Sequence, residues 1–139
     1  MDFSQVSILA IVLAVIANTI IGALWYSPIL FANVWLKSLG KTEDELNKSS
    51  ANIGYALTMA AAVISAIVLS LFISMMNNIT IGGGALIGLL AGLGIASARE
   101  ISPTFFEGRN MTLFFISASY HIVSLTIMGM IIAFLQNND

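Results

Sequence analysis

One stretch of the sequence holds 50 consecutive residues without Asp, Glu, Lys or Arg: Ser49–Ala98, SSANIGYALTMAAAVISAIVLSLFISMMNNITIGGGALIGLLAGLGIASA. As a single helix it would be about 75 Å long at about 1.5 Å per residue, whereas the hydrocarbon core of a bilayer is about 30 Å thick. The stretch must therefore fold back once, and Asn77-Asn78 together with Gly82-Gly83-Gly84 marks the turn. It predicts two membrane spans, at about 53–75 and 81–98.

Two further uncharged runs flank this stretch, Phe3–Leu36 with 34 residues and Asn110–Asn138 with 29. A helical crossing needs about 20 apolar residues, so each run contains one more span, at about 6–26 and 111–135. We therefore predict an all-α polytopic membrane protein, a single transmembrane domain over the whole chain in which four transmembrane helices form a bundle.

The segment between the first two spans predicts two short helices. Ile29–Leu39 follows Ser27-Pro28 and carries bulky apolar residues, but it is too short to cross, so we expect an interfacial helix on the membrane surface. Thr42-Glu-Asp-Glu45 has the spacing of a capping box and predicts the start of a short helix in water.

The composition excludes several classes of protein. The chain is 58% apolar and 9% charged, whereas soluble domains contain about 25% charged residues. A net charge of −2 with five basic residues excludes a nucleic-acid binder, and the lack of cysteine excludes a disulfide scaffold. One histidine without cysteine cannot form a zinc or haem site within a protomer, so we expect no metal and no cofactor.

The basic residues predict the orientation of the chain in the membrane. All five fall in the connections on one side of the four-span arrangement: Lys37, Lys41, Lys48, Arg99 and Arg109. The positive-inside rule then places loops 27–52 and 99–110 in the cytoplasm of a multi-pass protein of the cell (inner) membrane, with both termini outside.

Small residues repeat every four positions on spans two and three, which lets helix backbones approach closely in lipid. They are Ala62, Ala66 and Ser70 on span two, and Gly84, Gly88, Gly92 and Ala96 on span three. Because the turn at Asn77-Asn78 makes these spans antiparallel neighbours, we expect the two faces to pack on each other. The alternative is that the glycine face joins protomers into an oligomer.

Polar residues at membrane depth predict a functional site or a specific helix contact. The only histidine, His121, lies about 15 Å along span four, and Ser117 and Ser124 share its face. Asn18 lies at a similar depth on span one. These residues either line a polar cavity in which the imidazole transfers protons or form hydrogen bonds that join the helices.

More polar and aromatic residues gather at the predicted cytoplasmic ends of the spans. They extend the candidate cavity to Trp25, Tyr26, Asn52, Tyr55, Arg99, Glu100, Glu107, Arg109 and Tyr120. An aromatic belt with headgroup-level charges accounts for part of this set. The two acids and two bases between residues 99 and 109 predict a paired network that fixes the loop, or that holds an anionic or polar ligand through its arginines.

Several blocks of the sequence resemble the DUF1761 family of small bacterial membrane proteins. They are Gly22-Ala-Leu-Trp-Tyr-Ser-Pro28 with Leu30-Phe31, Thr42-Glu-Asp-Glu-Leu46, Phe106-Glu-Gly-Arg109, and Tyr120-His121 with Met128-Gly129. The resemblance covers nearly the whole chain and implies a four-helix membrane protein with no established activity. The positions that match its motifs, without an assigned role, are Trp25, Tyr26, Pro28, Glu107, Gly108, Arg109 and His121.

Three functions remain open at this point. The first is a homo-oligomeric conduit or transporter for a small solute or ion, with a polar path near Asn18 and His121. The second is a membrane-embedded binder or enzyme for a lipid or another apolar small molecule, and the third is a non-catalytic accessory subunit of a membrane complex. The expected partners are the lipid bilayer, further copies of the chain, and a small-molecule or lipid ligand. No catalytic constellation is visible, which favours a conduit or binder over an enzyme.

Overall fold

Helices joined by short turns make up the part of the chain that the computed structural model describes, residues 6–40 and 51–137. Its helices are α1 (Ile8–Trp25), α2 (Ala32–Leu39), α3 (Ala51–Ser74), α4 (Ile81–Phe106) and α5 (Met111–Asn137). Four of them, all but α2, are long and apolar enough to cross a membrane. This confirms the predicted all-α class with four spans. The predicted capping box at 42–45 lies outside the described residues.

Side-chain caps and left-handed residues set the ends of the helices. Ser7 and Thr80 cap α1 and α4, because their hydroxyls accept from the amides of Ala10 and Gly83 at 3.2 and 2.9 Å. Asn78 has a φ of 56° in the predicted turn between α3 and α4, a conformation that asparagine adopts more readily than most residues. The short helix α2 lies within the segment predicted to be interfacial.

The third span is longer than predicted. Residues 99–106, which were expected to belong to a cytoplasmic loop, continue α4 as a helix, and only residues 107–110 connect it to α5. The 26 residues of α4 extend about 39 Å, which exceeds the hydrocarbon core by about 9 Å. The charges at Arg99 and Glu100 therefore did not mark the end of the helix.

Helix α5 lies at the centre of the bundle, where it packs against α1, α3 and α4. The buried core joins small residues of α1 to larger ones of α3 and α5. Its members are Ala10, Ala14, Ala66, Leu69, Ile73, Met128, Ile132 and Ala133. Because α5 contacts every other span, its inward faces carry the polar side chains that meet residues of α1, α3 and α4.

The glycine face of α4 packs on α5, so the prediction that it packs on span two was wrong. A Cβ at Gly84 would overlap the backbone of Gly129, and one at Gly88 or Gly92 would lie 2.8 Å from a Cα atom of α5. The short 107–110 connection makes α4 and α5 neighbours as effectively as the turn at Asn78 joins α3 to α4. Gly129 of α5 also lacks a side chain, and this allows the backbones of α4 and α5 to approach so closely.

The small residues of α3 are also buried, against other partners. Ala66 belongs to the core shared with α1 and α5, Ala62 is buried, and Ser70 donates to the side chain of Gln136 on α5. On α4 the fourth member of the predicted stripe, Ala96, is half-buried, and its neighbour Ser97 is buried in its place.

The Gly88→Ala substitution is expected to destabilise the bundle. Its Cβ would lie 2.8 Å from the Cα of Thr126, and overpacking of this kind costs about 1–3 kcal/mol. Gly94→Ala is the matched control, because a Cβ there meets open space and alanine favours helix by up to about 1 kcal/mol. Thermal unfolding in detergent, followed by circular dichroism, measures both. An equal melting temperature for the two variants would contradict the close contact.

Candidate functional site

Glu100 of α4 and His121 of α5 form an ion-pair contact between helices. The Nε2 of His121 lies 3.1 Å from the Oε1 of Glu100, and the Ser117 hydroxyl donates to the same oxygen at 3.3 Å. The two side chains are about one-third exposed. The helix that carries His121 offers no acid to it, because Glu100 lies on α4.

The antiparallel arrangement brings these two side chains together. In a helix each Cα–Cβ bond is tilted toward the N-terminus, so side chains on antiparallel neighbours lean toward each other. The backbone of His121 lies level with Gly92, and its ring leans toward the 107–110 connection. Glu100 lies further along α4 and leans back toward Gly92. Its carboxylate is thereby drawn away from the helix end and into the bundle.

A π-helical segment, Ala91–Ser97, determines which residue of α4 meets His121. Up to Gly92 the inward residues follow each other every four positions, but the next buried residue is Ser97, five positions later. The hydroxyl of Ser97 donates to the carbonyl of Ala118 at 3.3 Å. The extra residue in this turn directs Glu100 toward α5 and leaves Arg99 exposed. π-Helical turns within α-helices frequently occur at functional sites.

A second polar group joins α5 to α1. The Tyr120 hydroxyl donates to the Oδ1 of Asn18 at 2.9 Å, and Ser124 donates to the same oxygen. The rings of Tyr120 and His121 lie 5.4 Å apart, so this group adjoins the Glu100–His121 pair. His121 itself bonds to Glu100 and Ser117, while Asn18 bonds to Tyr120 and Ser124.

Aromatic residues at the end of α1 cover the site on the side of α2. The Trp25 indole donates to the carbonyl of Ile116 at 3.1 Å, and the Tyr26 ring packs on Trp35 of α2 and on Tyr120. Tyr26 is the first residue after the α1 span. Burial raises the pKa of its phenol to about 12, and the nearby Tyr120 and Glu100 add to the shift. Tyr26 therefore stays protonated throughout the physiological pH range.

The predicted network of two acids and two bases does not form. Glu107 and Arg109 pair with each other at 2.8 Å on the surface, while Glu100 bonds to His121. Arg99 is exposed and has no ion pair with a residue that the structure describes. The network fails because the helix continues past residue 98 and turns Glu100 inward.

Two other predicted site residues lie apart from these contacts. Tyr55 is 72% exposed on α3, and the side chain of Asn52 is outside the described part of the chain.

A polar contact that was not predicted from the sequence lies at the opposite end of the bundle. There the Gln136 side chain accepts from the Ser7 amide at 3.2 Å and from Ser70. The sequence feature that could have indicated this contact is the position of Gln136, a polar residue at the end of a charge-free helix.

An apolar layer separates the two polar regions. It consists of Leu69 and Ile73 of α3 and Met128 and Ile132 of α5, each at most 2% exposed. Glu100 and His121 lie on one side of this layer, toward the 107–110 connection, and Gln136 lies on the other. Buried apolar side chains thus lie between the Glu100–His121 pair and the far end of α5.

The geometry argues against a serine hydrolase. In a Ser–His–acid triad the serine and the acid bond to different ring nitrogens, whereas here Ser117 and Glu100 both approach Nε2, at 3.4 and 3.1 Å. What the arrangement can do is hold a proton between an imidazole and a carboxylate inside the bundle.

Four apolar spans around a polar centre define the chain as a polytopic helical membrane protein. The family model of DUF1761, described as a protein of unknown function, matches residues 9–133, so the chain belongs to the DUF1761 family. The matched region contains every residue of the polar groups around Asn18, Glu100 and His121. Comparison with curated proteins and with solved structures found no match.

Tyr120→Phe is expected to lower the stability of the bundle by about 1 kcal/mol, because it removes a hydrogen bond between helices in lipid. Tyr55→Phe is the matched control, since that tyrosine is largely exposed. The midpoints of unfolding in mixed micelles compare the two variants. If Tyr120→Phe and Tyr55→Phe unfolded at the same midpoint, the bond to Asn18 would contribute nothing.

Proposed function

We propose that this protein is a conduit for protons, or for a small solute or ion whose passage is coupled to a proton, and that the Glu100–His121 pair binds and releases that proton. The observation that carries the proposal is the 3.1 Å contact between these two groups within the bundle. Ionisable residues at membrane depth are costly and mark ion pathways and proton relays.

The charge of the pair explains why it suits this role. With one shared proton the pair is neutral, whether the proton resides on the imidazole or on the carboxylate. Loss of the proton leaves a single negative charge, and a second proton leaves a positive one. Either change is unfavourable in a medium of low dielectric constant, so proton binding is coupled strongly to access to water or to a counter-charge.

The apolar layer constrains how such a conduit works. Leu69, Ile73, Met128 and Ile132 are buried apolar side chains between the pair and the far end of α5. Passage requires that this layer opens or that a path forms between copies of the chain. The predicted homo-oligomer belongs to this proposal.

The proposed sidedness follows from the basic residues. With the five lysines and arginines on the inner side of a cell membrane, the pair opens toward the cytoplasm and both termini lie outside. Gln136 then lies at the outer end of the bundle.

Glu100→Gln and His121→Gln are each expected to reduce proton flux at least about tenfold, because neither variant retains both titratable partners. Purified protein in liposomes containing a pH-sensitive dye, with a potassium diffusion potential as driving force, measures the flux. Glu107→Gln is the matched control, since Glu107 is a surface acid outside the spans, and we expect its flux to equal that of the wild type.

Flux that survives in Glu100→Gln and His121→Gln would contradict the role of the pair. Absence of flux in the wild-type protein under both polarities of the potential, first without and then with added sodium and chloride, would overturn a conduit for protons or for these ions.

Two apolar grooves on α1 favour a second candidate, a binder of a lipid or another apolar compound. One groove of about 470 Å³ lies between α1 and α5, and the other, of about 480 Å³, lies between α1 and α3. Both are open grooves lined by apolar side chains, with Thr19 the one hydroxyl among them. They lie on the face of α1 that meets the lipid.

Ile16 lines both grooves, so the larger side chain of Ile16→Trp is expected to obstruct them and to reduce labelling by an apolar photoreactive lipid analogue about fivefold. Leu9→Trp is the control, because Leu9 is exposed on α1 outside both grooves. Mass spectrometry of the labelled peptides measures the extent and position of labelling. Equal labelling of the two variants would mean that the grooves hold only bulk lipid.

A further inference from the structure

The π-helical segment 91–97 divides α4 into two parts that differ in how firmly they are packed. Before it, Gly84 and Gly88 lie in direct contact with the backbone of α5. After it, Thr104 is the one fully buried residue of Ala98–Phe106, and most of the others are exposed. The first part is fixed by close contact, whereas little buried surface opposes a rotation of the second.

We propose that segment 91–97 is a register switch: in its π-helical form it places Glu100 beside His121, and in an α-helical form it places Arg99 there. Conversion to an α-helix removes the extra residue from the inward turn. The part of α4 beyond it then rotates by about 100°, the angle between successive residues. Arg99 thereby takes the direction that Glu100 now has, and Pro103 takes that of Thr104. The consequence for proton movement rests on the proposed function, but the change of register does not.

The sequence of α4 weakens the helix at this place. Gly92 and Gly94 lie within the π-helical segment, and glycine is the least favourable residue after proline in a helix interior. Pro103 has no backbone N–H and leaves the carbonyl of Arg99 without its usual partner four residues later. A Cβ at Gly94 meets open space, so that glycine is not needed for packing.

When Arg99 takes the place of Glu100, the charge next to His121 is reversed. A carboxylate favours the protonated imidazole, and a guanidinium in the same place disfavours it. The other groups that face the pair are neutral: Tyr120 of α5 and Tyr26 at the end of α1. Lys37 of α2 is exposed, and the described length of α3 contains no charged residue. The π form therefore places a negative side chain beside the imidazole, and the α form places a positive one there.

The charge of the imidazole determines which form of segment 91–97 is favoured. A charged imidazole attracts a carboxylate and favours the π form. A neutral imidazole does not, so conditions that remove the charge increase the population of the α form. The exposure of Thr104, which is buried in the π form, reports the change.

Single-cysteine labelling tests the switch, because the chain contains no cysteine. Thr104→Cys is buried in the π form and exposed in the α form, whereas Phe105→Cys is exposed in both. The rate of reaction of Cys at 104 with a water-soluble maleimide is divided by the rate at 105, which removes the part of the pH dependence that the two thiols share; the deletion of Gly94 described below controls for the rest. We expect this ratio to rise about tenfold from about pH 5 to about pH 9, on either side of the range in which histidines titrate.

Deletion of Gly94 provides the locked control. It shortens the segment by one residue, so that a regular α-helix keeps Ser97 and Glu100 on the inward face. When this deletion is combined with Thr104→Cys and with Phe105→Cys, we expect a low ratio of the two rates at both pH values. A cooperative melting transition shows that the bundle with the deletion is folded.

A ratio that stays constant with pH in the full-length background would overturn the switch, whatever the liposomes show. A ratio that rises in the background with Gly94 deleted as well would also overturn it, because the exposure of residue 104 would then not depend on the π-helical segment. A ratio that rises only in the full-length background, together with an absence of proton flux, would support the register switch and overturn the conduit.

Discussion

The close contact between the backbones of α4 and α5 is the constraint on which the rest of the structure depends. In lipid there is little hydrophobic force between helices, so association requires surfaces that fit at short distance. Gly84 and Gly129 each occupy the space that a Cβ of the other would need. This contact fixes the height and rotation of α4 relative to α5, and every polar interaction between the two helices follows from it.

The spans themselves could be predicted from the sequence, because a charge-free run of about 20 residues has few stable environments other than the hydrocarbon core. The partner of the glycine face could not. A stripe such as Gly84, Gly88 and Gly92 shows that a helix has a close neighbour, but each of the two connections of α4 provides an antiparallel candidate. Gly129 on span four is the residue that indicates α5 as the partner of the glycine face, but in the sequence it stands out only as part of a family motif.

The Glu100–His121 pair lay beyond sequence reasoning for a different reason. The residue of α4 that faces His121 depends on one additional residue in the turn at 91–97, and a four-residue spacing continued past Gly92 gives the inward position to Ala96. The depth of Asn18 and the face of Ser124, by contrast, can be counted from the sequence because both lie in regular helices, and the two residues are in contact. Sequence periodicity thus located the polar residues of α1 and α5 but not the register of α4.

The two polar groups on α5 have different mechanical roles, which follows from what they contact. Asn18 accepts from both Tyr120 and Ser124, and this joins α5 firmly to α1 on one side. On the other side Glu100 belongs to a helix segment that is mostly exposed and lies beyond a π-helical turn. In the proposed switch α5 is therefore held in place by α1, whereas the end of α4 has few contacts that oppose its rotation. The histidine is fixed, and its partner is the part that moves.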